Sequence, residues 1–209
     1  MENKQKITHS FQYNSHNLIE LFEGTTKFSG RGGWKSKMEA QSTLDENRYP
    51  RLNYVGDAFE FFVELMFKVI GPTRELGGIH EYLPQQENDN GVDAICKNWD
   101  GADSVVQIKY KRDSERLLTA NADHLGNMVK EATFKYRITP HKSDKKETTK
   151  YFVITTGKSL HHYTDDEFFL NNVKCIGWSQ LCQLLDGNKG FWEKSEEIVR
   201  SLAKNLATA

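Results

Sequence analysis

The chain has 209 residues and a formal net charge of −1, from 28 Lys and Arg against 29 Asp and Glu. With hydrophobic residues at 37% and charged residues at 27% it is polar for a globular protein, but 12 Phe, 8 Tyr and 4 Trp can fill a core, which argues against disorder throughout. A globally basic nucleic-acid coat is excluded while a local basic patch is not, and no run approaches the ~18 apolar residues of a membrane span.

This length suits one domain with a small accessory segment. The opening MENKQKITHS has no apolar h-region, so the expectation is a chain without a signal peptide. Cys96, Cys175 and Cys182 are odd in number and form no CxxC pair. That reads as a reducing compartment, cytoplasmic or nucleoid-associated, with each Cys a small buried hydrophobe.

Residues 1–53 read as an arm ahead of the core. Ser15 can cap a short helix carrying Leu18, Leu21 and Phe22 on one face, ended by Gly24. The stretch that follows is pliable at Gly30, Gly32 and Gly33 and basic at Lys27, Arg31, Lys35 and Lys37. The core domain is expected over residues 54–209. Asp57 is placed to cap a helix over residues 57–70 that Gly71-Pro72 stops. It is apolar nearly all round, so it should be buried. Its polar residues Glu60, Glu64 and Lys68 stand at i, i+4 and i+8, a stripe facing solvent or a polar cavity. Glu64 and Lys68 are also spaced for an ion pair.

Residues 79–83 predict a strand, 85–90 a polar loop, 92–96 a second strand, 98–103 a turn and 104–111 the returning strand. Helices are expected over 122–137, from Thr164 or Asp165 to Leu170, from Ser179 to Gly187 and over 193–206. Apolar strands are expected over 151–156 and 173–176, and a charged loop over 141–150. This order predicts an α/β or α+β layered fold, a central mixed sheet flanked by helices.

A turn centred on position 100 sets Asp93 opposite Gln107. Gln107 and Lys109, two apart, leave the same face of their strand. A carboxylate, an amide oxygen and an ammonium then converge at one end of a hairpin, and Glu60 can add a second carboxylate. These groups suit metal-assisted phosphodiester hydrolysis. Mg²⁺, with Mn²⁺ as a substitute, needs only one or two carboxylates plus substrate phosphate, because it keeps several waters. Gln107 and the Ile108 carbonyl are candidate further oxygen ligands. Lys109 can orient the attacking water and stabilise charge on the phosphate.

Gly91-Val92-Asp93 followed by Val106-Gln107-Ile108-Lys109 resembles the PD-(D/E)xK nuclease superfamily in its Mrr-like restriction endonuclease branch, with Gln in place of the second acidic residue. Phe59-Glu60 on an apolar helix closing at Gly71 resembles that branch's helical Phe-Glu signature. Residues 152–157 and 175–181 resemble its later core strands and the helix after them. The likeness covers residues 56–186. It implies a restriction-endonuclease-like core and Mg²⁺-dependent cleavage of double-stranded DNA. It makes Asp93 a metal ligand, Gln107 a metal or water ligand, Lys109 the catalytic lysine and Glu60 an accessory carboxylate. The segment between Gly71 and Gly91 is longer and more polar than the usual hairpin; its Gln85, Gln86 and Asn88 to Asn90 either read DNA or form an ordinary loop.

Lys111, Arg112, Lys145 and Lys146 are the candidate phosphate contacts, which would position a duplex without reading its sequence. The seven histidines show no zinc spacing. The leading expectation is a metal-dependent DNA endonuclease, alone, as a homodimer or within a larger helicase or restriction assembly. A structure-selective junction nuclease and a non-catalytic DNA-binding module of the same fold are the alternatives.

Overall fold

The computed structural model describes Lys35 and residues 54–85, 91–119, 125–140, 149–161, 171–188 and 190–207. The short helix expected after Ser15, the rest of the arm and the helix expected up to Leu170 lie outside the described residues. Lys35, expected on a basic arm, is buried. The described chain divides into two units, one formed by residues 71–181 and one by residues 54–70 and 182–207 with Lys35.

The protein is α+β. Its first unit is built on a mixed sheet of five strands in the order β1-β2-β3-β5-β7. These are β1 Ile79–Pro84, β2 Ala94–Asn98, β3 Asp103–Lys109, β5 Tyr151–Thr155 and β7 Val173–Ile176. The β1–β2 and β2–β3 pairs are antiparallel, whereas the β3–β5 and β5–β7 pairs are parallel. The β2–β3 register pairs Ala94 with Val106 and Ile95 with Val105. Each pair is centred on position 100, as the sequence predicts. Central position makes β3 buried on both faces, so its five residues from Ser104 to Ile108 are all buried, Gln107 among them. β7 falls where its β-branched and apolar residues place it.

One face of the sheet is covered by the helix α2, Asn127–Phe134. Met128 and Ala132 pack with Val105, Tyr151 and Val153 in one apolar cluster that also takes in Leu118 and Leu160. Arg137, at φ 60, closes the helix, and the Ile138 N–H returns to the Ala132 carbonyl at 2.9 Å. That bond, reaching back six residues, satisfies a carbonyl the helix end would otherwise leave without a partner. Burial pushes the Tyr151 phenol up to about 12, with a hydrogen bond to Thr133 pulling the other way, so it stays neutral in the core at ordinary pH. All three cysteines are free, and burial pushes the Cys96 and Cys175 thiols up, as inert core residues require. Two further strands were not foreseen: β4, Leu118–Thr119, pairs in parallel with β6, Leu160–His161. Two residues are too few to carry a period. After β7 the chain enters α3, Trp178–Gly187, whose Leu181, Cys182, Leu184 and Leu185 are buried as their spacing predicts.

In the second unit α1, Tyr54–Ile70, begins three residues earlier than expected and ends at Gly71, whose φ of 76 is the left-handed turn that closes a helix. It packs with α4, Phe191–Ala207. Phe62 meets Phe191 edge-on at 5.7 Å and lies 5.9 Å from Trp192. Such aromatic pairs add about 0.5–1.5 kcal/mol each beyond area burial. No described helix is long and apolar enough to cross a membrane.

The polar stripe of α1 departs from expectation. Glu64 is fully buried and pairs with Lys68 at 3.0 Å, the lysine side chain being 5% exposed. The stripe is therefore neither solvated nor a weak surface pair at this point. Removing one partner of a buried pair strands the other charge, which costs about 3–5 kcal/mol, whereas replacing both by apolar groups of similar volume is often neutral. Glu64→Gln is expected to lower unfolding free energy by about that amount in denaturant titration, and Glu64→Leu with Lys68→Met to recover most of it. A Glu64→Gln protein as stable as the parent would show the pair to be inconsequential.

Candidate functional site

The site begins where the β2–β3 ladder ends. The last paired residues are Ala94 and Val106. One step earlier, Asp93 still donates its N–H to the Val106 carbonyl at 2.9 Å and accepts the Gln85 N–H at 2.9 Å. The chain then leaves at Gly91. Successive backbone N–H groups of a strand point to opposite neighbours. The Val105 N–H goes to the Lys150 carbonyl at 2.9 Å, on the β5 side, so the Ile108 N–H faces the side that β2 has left. There the Asp93 carboxylate takes it, Oδ2 accepting from the Ile108 N–H. A side chain thus completes the ladder where backbone has run out, and a buried donor that would cost about 1–3 kcal/mol if unpaired is satisfied. The N–H and C=O of one strand residue share an edge, so the Ile108 carbonyl points to the edge where the Asp93 carboxylate stands.

Gln107 and Lys109 leave β3 on one face, and both line a small cavity with Leu118, Thr119, Leu125, Val153 and Leu160. Gln107 is only 2% exposed. Gly91, at φ 99, packs so closely against it that a Cβ there would lie 3.0 Å from Gln107 Nε2 and 3.2 Å from the Met128 backbone nitrogen. Only glycine fits both the conformation and the space. The glycine of the Gly-x-Asp motif therefore seats the Gln107 amide against the first turn of α2. Lys109 is half-buried, and its carbonyl accepts the Thr155 hydroxyl at 2.7 Å. Thr155 is buried and its Oγ1 also accepts the Gly157 N–H at 2.9 Å.

The structure thus gathers Asp93, Gln107, Ile108 and Lys109 at one end of the β2–β3 hairpin. Glu60 stands half-buried on α1, in the second unit. Lys111 is half-buried just beyond β3 and Arg112 is exposed. Lys145 and Lys146 lie outside the described residues, as do Gln86 and Asn88 to Asn90. Gln85 is committed to structure: besides its main-chain bond to Asp93, its Nε2 donates to the Leu83 carbonyl and its Oε1 accepts the Tyr136 hydroxyl. Sequence reasoning missed Thr155 and Thr156, whose hydroxyls fix the backbone of Lys109 and Lys111; a polar Thr-Thr step ending an apolar strand was the available signal.

Among the described residues no group of three or more His, Cys, Asp or Glu gathers that could hold a metal ion. At the end of the hairpin stand one carboxylate, on the Ile108 backbone N–H, and one residue along β3 a neutral amide, both oxygen-bearing. Such a set fits a hard cation that retains several waters and is completed by substrate phosphate.

No family model matches the chain, and no curated protein or solved structure matches it.

Gly91→Ala is expected to destabilise the protein by roughly 1–3 kcal/mol, the cost of holding a non-glycine residue in this backbone region, with the packing against Met128 added to it. The shift is read from the denaturant midpoint. An unchanged midpoint would mean that the loop relaxes freely and does not seat Gln107.

Proposed function

We propose that the protein is a metal-dependent deoxyribonuclease that hydrolyses phosphodiester bonds of double-stranded DNA, with residues 54–209 a restriction-endonuclease-like domain carrying residues 1–53 as an arm, acting in the cytoplasm or at the nucleoid. The observation that supports the reading is the Asp93 carboxylate on the Ile108 N–H where β2 leaves β3, on the strand whose adjoining residues Gln107 and Lys109 line one cavity.

In this reading the Asp93 carboxylate and the Ile108 carbonyl would hold Mg²⁺, or Mn²⁺ in its place, with Gln107 as a further oxygen donor; Glu60 is the accessory carboxylate that the sequence resemblance implies. A cation held there would supply water activation and charge neutralisation at the phosphate. Lys109 orients the attacking water by a hydrogen bond and stabilises the negative charge that builds on the phosphoryl oxygens. Water oxygen bonds to phosphorus, one P–O ester bond breaks, and the departing oxygen is protonated. Gln107 is buried and its amide lies close beside Gly91, which limits the orientations open to it. A free amide would lose orientational entropy on engaging a ligand.

One observation favours a second reading, a non-catalytic DNA-binding module: Asp93 Oδ2 already has a structural task at the Ile108 N–H. Asparagine separates the two roles, since it keeps an oxygen acceptor but carries no charge. Asp93→Ala should cost about 1–3 kcal/mol of stability by stranding that N–H, and Asp93→Asn should stay within about 1 kcal/mol of the parent. Both should abolish Mg²⁺-dependent nicking of supercoiled plasmid, assayed with Mg²⁺, Mn²⁺ and EDTA in parallel. If Asp93→Asn protein nicks at the parental rate, the carboxylate belongs to the fold and not to the chemistry.

Lys109→Ala should reduce the cleavage rate by about 10²-fold or more, as losing one donor to developing charge does elsewhere. Stability should change little, because Lys109 is anchored through its carbonyl, which the substitution keeps. Near-parental cleavage by Lys109→Ala would remove the lysine from the mechanism.

A further inference from the structure

The segments that follow β3 and β5 are tied to each other by four hydrogen bonds. The Lys111 N–H donates to Thr156 Oγ1 at 2.6 Å, and that hydroxyl donates back to the Lys111 carbonyl at 2.8 Å. The Lys158 N–H donates to the Arg116 carbonyl at 3.0 Å, and the Leu118 N–H to the Ser159 carbonyl at 2.8 Å. β4 and β6 then continue the pairing. Gly157 makes the approach close enough: a Cβ there would sit 2.8 Å from the Arg116 carbonyl oxygen and 3.4 Å from Lys111 Cγ. Residues some forty positions apart in the chain are thereby fastened into one ledge.

The ledge is positive. It carries Lys111, Arg112, Arg116 and Lys158, of which the last three are exposed. Against these stand Asp113 and Glu115. Asp113 Oδ1 accepts the Glu115 N–H at 3.0 Å, holding the turn. Glu115 lies 3.8 Å from Lys158 Nζ, with both side chains largely exposed, a pair of little strength that solvent and salt screen. A chain with a net charge of −1 has concentrated cations here, two residues beyond Lys109. The position is also the carboxyl end of the parallel strands β3 and β5, where open sheets with parallel strands present their ligand sites.

We infer that this ledge, through Arg116 and Lys158 together with Lys111, is a phosphate-backbone contact surface for duplex DNA leading into the Asp93–Lys109 site. The identity of the partner rests on the nuclease reading; the clustering does not. Arg116 and Lys158 engage successive phosphates of one strand without reading bases. Thr156 and Gly157 hold the two segments in register, so the backbone that carries the cations needs no ordering at the moment of binding.

The test is an anisotropy titration of a short fluorescent duplex over a salt series, in EDTA so that nothing is cut, with Arg116→Ala/Lys158→Ala protein compared with the parent. Both side chains are exposed, so the melting temperature should be unchanged. The expected result is weaker binding to every duplex sequence, with the slope of log K against log salt shallower by about 1.8, two contacts at about 0.9 each. Lys97→Ala, an exposed lysine on β2 away from the ledge, should leave the slope as it was. An unchanged slope in the double variant overturns the inference, as does a parent protein that binds no duplex or binds only the single strand. A separate plasmid-nicking assay keeps the two claims apart. A parent that binds with the ledge-dependent slope but never cuts leaves this surface standing and removes the nuclease reading. A parent that cuts while the double variant binds and cuts equally well does the reverse.

Discussion

A central strand must have both edges satisfied, and β3 loses one of its neighbours before it ends. The main chain of β2 swings away at Gly91 while β3 runs on to Lys109, so the Ile108 N–H would face an apolar edge alone. The Asp93 carboxylate supplies the acceptor. This single substitution of side chain for backbone permits the rest of the site. It lets the strands diverge, which opens the end of the hairpin. It also fixes a negative charge beside the Ile108 carbonyl, and it keeps Gln107 and Lys109 on a strand that remains straight because its hydrogen bonds are complete. A charge-assisted bond of this kind is stronger than a neutral one, which suits a group that has to hold an opening apart.

Much of this was legible in the chain itself. The turn at 98–102 has Asp and Gly at its tip, and equal counting on either side sets Asp93 against Gln107. The observed register, Ala94 with Val106, is the same count. Alternation put Gln107 and Lys109 on one face, and both line one cavity. What could not be read was the use Asp93 makes of the Ile108 N–H, because a lost strand partner is a property of two strands diverging in space. The burial of Glu64 was hidden for a related reason. A charged residue on an otherwise apolar helix marks a stripe, but whether the stripe is wet depends on what packs over it. The β4–β6 pair was invisible because two-residue strands have no period, and with it went the proximity of Arg116 to Lys158.

The two units use their charges differently. In the second, Glu64 and Lys68 are paired one turn apart, both side chains nearly out of reach of solvent. Burying such a pair contributes little net stability, while breaking it is costly. In the first, Arg112, Arg116 and Lys158 beyond β3 are exposed to solvent, where ions cost least, and backbone bonds bring their segments together. The difference tracks the physics of the environment: low dielectric demands pairing, and water tolerates like charges side by side.

Gly91 does more than permit a bend. Its missing side chain lets the Gln107 amide and the first turn of α2 touch the same few cubic ångströms of space. A side chain at position 91 would have to displace one or both of them. The contribution of this residue is thus an absence: it leaves the helix start and the amide room to lie side by side, and bulk added at that one position would be felt at both.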